Sequence, residues 1–543
     1  MRSFSILILS FLALSTSVMA QQSTFGKVYS IFQSSCSFSY CHSSSSQAGG
    51  MDLEGTGATG ADKMNSVYAE IINAAPGNSY AAGMGYKRIM PGDPYRSFIF
   101  RKAHGGIAPG DIQLHTDEGE PMPQGGIPLE KEQAEIIRQW ILQGAPKTGV
   151  VHDSTLIWKY HNGEGLRAVN TIPVAPAAGE GFQIHLGPFL LGPSQEKEFF
   201  AKFDPQLPAD LEVRAVEPFF GKGYSHHFIL YKFNEGESAN YLYGLREENS
   251  HAHTRLVTAH QDTIPVNLPY GTAFAWEKST MLDLNSHYIN YSSTKVLGCD
   301  VYVNIYTQPK GTARQLMNTA LFPNITIYIP NDGATHTFTQ PLYDQSITQP
   351  VYVWQFYAHT HKYGTDYDVY LRNSDGTMGD HVYEGSCKNG IPGCASPNYD
   401  YQHPPARYFE PFMPLHYNHG IIHRASYRNT GTKPVAWGNT SDDEMMVMIM
   451  MYTQDTLGLG LKNLPEPGHV VLYPNPAGNT VRLRMDNSSP VAIVFYDALG
   501  KMVLRYENVD DGDVIDLSGL PKGLYIYHAE GEAGAMRGKL LVE

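Results

Sequence analysis

Residues 351–361 read VYVWQFYAHTH, a run dominated by β-branched and aromatic residues, with Gln355 and Ala358 within it, lying between Pro350 and Gly364. Such a run favours an extended strand, because these side chains pack well on a pleated surface and the nearest chain breakers lie outside it. Side chains at i and i+2 of a strand leave the same face, so His359 and His361 are expected on one side, at a separation that a single metal ion can bridge. The same texture recurs in HHFILYKF (226–233), VYVNIYTQ (301–308) and NITIYIP (324–330), with Gly, Pro, Asn and Asp clusters between the runs. Residues from about 155 to 455 therefore read as β structure, enough for two domains that part near residues 310–322. With 52 Gly, 35 Pro and 35 Tyr in 543 residues, the fold class is mainly β.

The flanks differ. Residues 24–145 read as a small helical unit, opening with FGKVYSIF (25–32) and closing with LEKEQAEIIRQWILQGA (129–145). In the closing segment Ile136, Ile137, Trp140 and Ile141 share one helical face and Gly144 stops the helix. After LGLGLKNLPEPGH (457–469) a last β unit carries VRLRM, VAIVFYDALGKMV and GLYIYHAE. At the start, Arg2, the apolar run Phe4 to Leu14 and Val18-Met19-Ala20 read as a signal peptide cleaved after Ala20. That run is shorter than a membrane span of about 20 residues, so the mature chain is expected to be soluble and exported. The expected organisation is 1–20 leader, 21–150 helical domain, 155–315 and 316–458 β domains, and 465–543 terminal β domain. A net charge of −14 with no concentrated basic stretch excludes nucleic acid as a partner.

Three groups of residues carry chemistry. Cys36 and Cys41 are followed directly by His42, with four residues between the cysteines. Two thiols can form thioethers to a haem while the neighbouring imidazole reaches its iron, although the usual gap is about two residues; a disulfide is the other reading of the pair. His226 and His227 are adjacent, and a flat strand would send them to opposite faces, so joint ligation requires a bulge or a strand end. His251 and His253 repeat the i, i+2 spacing within a polar, loop-like stretch and are read as a decoy. Met445 heads the run Met445, Met446, Met448, Met450 and Met451, which reads either as core or, at one position, as a soft metal ligand.

YSHHFILYKF (224–233), LNSHYIN (284–290), AHTHKYGTDYDVYL (358–371) and GNTSDDEMMVMIMMY (438–452) follow in an order that resembles the copper type II ascorbate-dependent monooxygenases, represented by peptidylglycine α-hydroxylating monooxygenase and dopamine β-monooxygenase. The resemblance spans about residues 165–455 and implies two tandem jelly-roll-like β-sandwich copper domains. It implies that His226, His227 and His287 hold an electron-transfer copper, and that His359, His361 and Met445 hold the copper that meets dioxygen, the two sites binding separately. Where the peptidylglycine member has an Arg that anchors the substrate carboxylate this chain has Tyr357, and in place of its Asn and Tyr stand Val447 and Ile449. Met446 and Ser426 replace both halves of one family disulfide; Cys387 and Cys394 could pair, which leaves Cys299 single.

MPGDPYRSFIFRK (90–102) and EPMPQGGIPLEKEQAEIIRQWILQGAP (120–146) resemble small c-type cytochrome domains over residues 24–147, which implies haem c with His42 and Met122 as axial ligands and Met90 as the runner-up. VVLYPNPAGNTVRLRM (470–485), FYDALGKMV (495–503) and LSGLPKGLYIYHAEGEAGAMRGKLLVE (517–543) resemble the C-terminal sorting domain of type IX secretion substrates of Bacteroidetes. Together these imply a secreted or cell-surface monooxygenase with two copper ions and haem c. Its partners would be a small-molecule or peptide substrate, dioxygen, an electron donor and the type IX secretion machinery. A copper and haem electron-transfer or copper-binding surface protein without oxygenase activity is the alternative, and a plain adhesin would need no metal.

Overall fold

The computed structural model describes residues 22–105, 112–125, 127–221, 223–247, 251–261, 263–386, 398–438, 442–455, 471–485, 490–497, 501–531 and 534–543. The leader and the Cys387–Cys394 pair lie outside the described residues. The chain divides into two compact units, Met1–Thr456 and Leu457–Glu543, and its architecture is mainly β.

Helices come first. Thr24–Ser35 begins where the Ser23 side chain accepts the Gly26 N–H, satisfying one of the free donors of the first turn. Its Phe25, Val28, Ile31 and Phe32 are buried, and Phe25 stacks on Trp140 of the Lys131–Leu142 helix at 5.3 Å between ring centroids. That helix ends as expected at Gly144, whose φ of +85° and closeness to the Tyr243 carbonyl (2.3 Å from an added Cβ) leave no room for a side chain.

Two β layers follow in the same unit. A seven-stranded sheet centred on Val296–Pro309 and a five-stranded sheet share one core of residues such as Ile184, Phe189, Phe228, Leu284 and Val303. The order of the five-stranded sheet is Leu245–Arg246, Glu196–Phe203, Leu282–Ile289, Ser225–Phe233, Thr254–His260. Gln315–Leu316 still pairs with Thr272–Trp276 of this first sandwich, while Asn318–Pro323 opens the second. There a four-stranded sheet ordered Asn318–Pro323, Val447–Thr453, Val351–His359, Arg407–Leu415 packs on another ordered Thr335–Leu342, Ile421–Arg428, Gly364–Arg372, Met378–Glu384. Phe356, Tyr367, Tyr427, Met446 and Met448 lie in the core between them. Cys299 is a buried free thiol in the core of the first sandwich, where burial pushes its pKa well above the usual thiol range.

The second core holds a fully buried histidine. His423 is linked through Nδ1 to Tyr367 Oη (2.7 Å) and through Nε2 to Gln340 Oε1 (2.8 Å), and burial pushes its pKa down to about 4. An unfolded histidine titrates near 6.5, so below that pH the unfolded chain binds a proton that the folded chain refuses. Stability is therefore retained above about pH 6.5 and lost as pH falls towards 4, by about 3 kcal/mol for this residue. Urea unfolding of the second sandwich at pH 7 and pH 4 should show this loss, and His423→Gln should reduce the pH dependence by that amount.

Candidate metal centre

The five-stranded sheet of the first sandwich and the four-stranded sheet of the second face each other, and Phe200, Tyr231 and Leu256 of one meet Val447 and Ile449 of the other. Histidines from both sheets gather beside this contact. The ladder between Ser225–Phe233 and Leu282–Ile289 pairs His287 with His227 and Tyr288 with Ser225, so His226 is the extra residue of a β-bulge. This bulge turns the His226 ring to the same side as its neighbour. His226 and His227 Nδ1 come within 3.3 Å, and one ligand nitrogen from each of His226, His227 and His287 lies within 4.8 Å of the others. That 3.3 Å is about the edge of a tetrahedron with metal–nitrogen bonds of roughly 2.0–2.1 Å.

His359 ends its strand and His361 lies just beyond it, a correction to the expectation that both sit within the strand. Their rings are nevertheless 5.2 Å apart. They are also close to the other group, His226 being 6.1 Å from His359 and 6.0 Å from His361 between ring centroids. The two expected groups therefore stand side by side where the sandwiches meet: His226, His227 and His287 offer ligand nitrogens within 4.8 Å of one another, and His359 and His361 lie next to them. Sheet-to-sheet packing, invisible in local spacing, brings the groups together. Met445 precedes the strand Val447–Thr453 and is only partly buried, unlike Met446, Met448, Met450 and Met451 of the core. With His227 and His359 it lines a cavity of about 430 Å³.

Hydrogen bonds fix which nitrogen each ring presents, as they do around protein metal sites generally. His287 Nε2 contacts Glu196 Oε1 (2.7 Å), leaving Nδ1 buried with no hydrogen-bond partner. His227 Nε2 is held by Glu198 Oε1 (3.1 Å) and Asn285 Oδ1 (3.0 Å), which turns Nδ1 towards His226. His361 Nδ1 donates to the Asp443 carbonyl (3.1 Å), keeping the lone pair on Nε2. The Gln261 amide spans His359 Nδ1 (2.9 Å) and Tyr357 Oη (2.5 Å). Glu444 accepts the N–H groups of His361 (2.9 Å), Tyr363 (2.6 Å) and Met445 (3.2 Å), tying the loop of His361 to that of Met445.

Burial and the neighbouring imidazoles push His226 down to about 2 and His359 well below the usual histidine range, and burial takes His361 to about 4. These rings are neutral at physiological pH, with lone pairs available to a cation. Burial alone would raise Glu198, but its hydrogen bonds and the surrounding imidazoles hold it at about 2, so its charge persists. Orphaned Nδ1, neutral imidazoles and adjacent carboxylates make a donor set that fits copper. Sequence reasoning missed Glu196, Glu198, Asn285, Gln261 and Glu444; the i, i+2 pairs Glu196/Glu198 and Asn285/His287 on neighbouring strands were the available signal.

In the helical region Cys36, Cys41, His42 and Met122 all line a second cavity, of about 450 Å³, walled by Phe32, Met51, Leu53, Phe98, Ile99 and Leu129. Met90 is buried but is not among its described lining residues. Both cysteines are free thiols, so the disulfide reading does not describe this structure. Burial pushes Cys36 up to about 12 and His42 below its usual range, and His42 Nδ1 is buried without a hydrogen-bond partner. Two free thiols, one unpartnered imidazole nitrogen and an apolar wall fit a haem. His253, half-buried, has its Nδ1 paired with Tyr241 Oη (2.7 Å).

Residues 471–543 match the family model described as the secretion system C-terminal sorting domain. The tail is a type IX sorting domain. It directs the chain to the cell surface or the medium through the type IX secretion machinery. The described sorting-domain strands form a three-stranded and a four-stranded sheet around Leu472, Leu483, Phe495, Tyr527 and Leu540. No curated protein matches the sequence. Among solved structures the chain is similar to PorZ of the Porphyromonas gingivalis type IX secretion system (17% identity over 17% of this chain and 14% of that one, TM-score 0.13). It is also similar to the β-glucuronidases of Faecalibacterium prausnitzii (12%, 38% and 36%, TM-score 0.13) and Dictyoglomus thermophilum (8%, 42% and 44%, TM-score 0.15). The chain spans less than half the length of these structures, and overlaps this weak carry no functional argument.

Proposed function

We propose that this exported protein is a copper-dependent monooxygenase that hydroxylates a C–H bond, R–H + O₂ + 2e⁻ + 2H⁺ → R–OH + H₂O, with electrons delivered through a haem c of its helical region. The carrying observation is the convergence of His226, His227, His287, His359, His361 and Met445, from two sandwiches, on one buried place. His226, His227 and His287 would hold one copper, and His359, His361 and Met445 the other. Bound copper would supply the one-electron redox chemistry that dioxygen activation requires. The protein's own part is to present neutral imidazoles through fixed nitrogens, to keep the Glu196 and Glu198 carboxylates against the outer ring edges, and to exclude water with apolar walls. Cys36, Cys41, His42 and Met122 would hold the haem.

The test is copper and haem content together with reductant-dependent oxygen uptake on full-length protein. About two copper ions, one covalent haem and uptake coupled to product are the expected result. Copper and haem without uptake would leave the electron-transfer alternative, which the loss of anchors at Tyr357, Val447 and Ile449 favours. No metal would leave an adhesin. Double replacement of Cys36 and Cys41 by Ser should abolish covalent haem while copper content stays unchanged; retention of haem through acid-acetone extraction in that variant would remove the thioether assignment.

A further inference from the structure

Beside the histidines, the cavity of about 430 Å³ falls in the size range of small-molecule sites, roughly 300–1,000 Å³. Phe200, Ile229, Tyr231, Leu256, Leu321 and Trp437 make up much of its wall. Its polar groups are largely committed elsewhere. The Gln261 amide serves His359 and Tyr357, the Asn285 amide serves His227 and Glu198, and Thr319 Oγ1 donates to the Val257 carbonyl (2.9 Å). Glu198 is engaged by His227 and Asn285, and Arg255 is exposed, with Nε donating to Asn234 Oδ1 (3.0 Å). His260 closes part of the wall with Nδ1 on the Ile264 carbonyl (3.3 Å) and Nε2 enclosed without a partner.

A ligand charge buried here would lose its hydration and meet only Glu198 and Arg255, both already engaged by His227, Asn285 and Asn234, whereas apolar surface would gain by leaving water. We infer that this cavity takes an uncharged, predominantly apolar small molecule, in place of a carboxylate-bearing peptide or an amine. As a statement of substrate class the inference rests on the oxygenase reading; as a statement about the cavity it is tested without copper.

Equilibrium dialysis of the metal-free full chain against 2-ethylnaphthalene, 2-naphthylacetate and 2-(2-naphthyl)ethylammonium separates the classes. The neutral member should bind at least about tenfold tighter than either ion. Leu321→Trp, which fills the cavity, should weaken that binding about tenfold with unchanged thermal unfolding. Equal or tighter binding of either ion, or no binding of the neutral member to wild type, overturns the inference, and this comparison stands even if the variant fails to fold. Copper content and oxygen uptake on the same preparation separate the two claims. Neutral binding without copper or uptake removes the oxygenase reading and leaves the cavity assignment. Uptake stimulated by the ions alone removes the cavity assignment and leaves the oxygenase.

Discussion

Replacing His226 by Ala should lower bound copper from about two to about one and reduce reductant-dependent oxygen uptake by at least the roughly 100-fold that even a lost supporting contact can cost at a metal site. His226 is the bulged residue, and its Nδ1 stands 3.3 Å from that of His227, so its removal opens one group of three while His359, His361 and Met445 remain. Met445→His tests the other group. A histidine there should keep copper but sharply reduce uptake, because a thioether stabilises the reduced ion that must meet dioxygen and imidazole is a harder ligand. Copper counting by elemental analysis, beside oxygen-electrode traces, distinguishes the variants. Unchanged copper and uptake in Met445→His would return Met445 to the role of a core residue and remove the most specific part of the oxygenase reading.

Ending the chain after Thr456 should eliminate export while leaving the rest folded and able to bind metal. Met1–Thr456 contains both sandwiches and every candidate ligand, and the sorting domain builds its core from its own residues, Leu472 to Val542. A domain with its own core folds without its neighbour. Fractionation should find the shortened protein in the periplasm with full copper content and surface signal at background. Normal surface levels would contradict the sorting role.

What could be read directly from the residues was whatever depends on local period and composition. The β-branched and aromatic runs VYVWQFYAHTH and HHFILYKF set strands, the 3.6-residue stripe of Ile137, Trp140 and Ile141 sets a helix, and the tail motifs mark the sorting domain. Residue type also marked the histidines as candidate ligands. Where their rings point was a tertiary matter. His226 and His227 share a side because the ladder to Leu282–Ile289 slips by one residue, a register set by the faces that both strands bury. Met445 parts from the methionines after it because it is the first of the run and only partly buried, while Met446, just before the strand, and Met448 and Met450 within it all enter the second core. The gathering of all five imidazoles, and the enclosure of an apolar cavity beside them, required two sheets from distant parts of the chain to pack face to face. Local sequence carries no record of that apposition, because it follows from the summed burial of whole sheet faces.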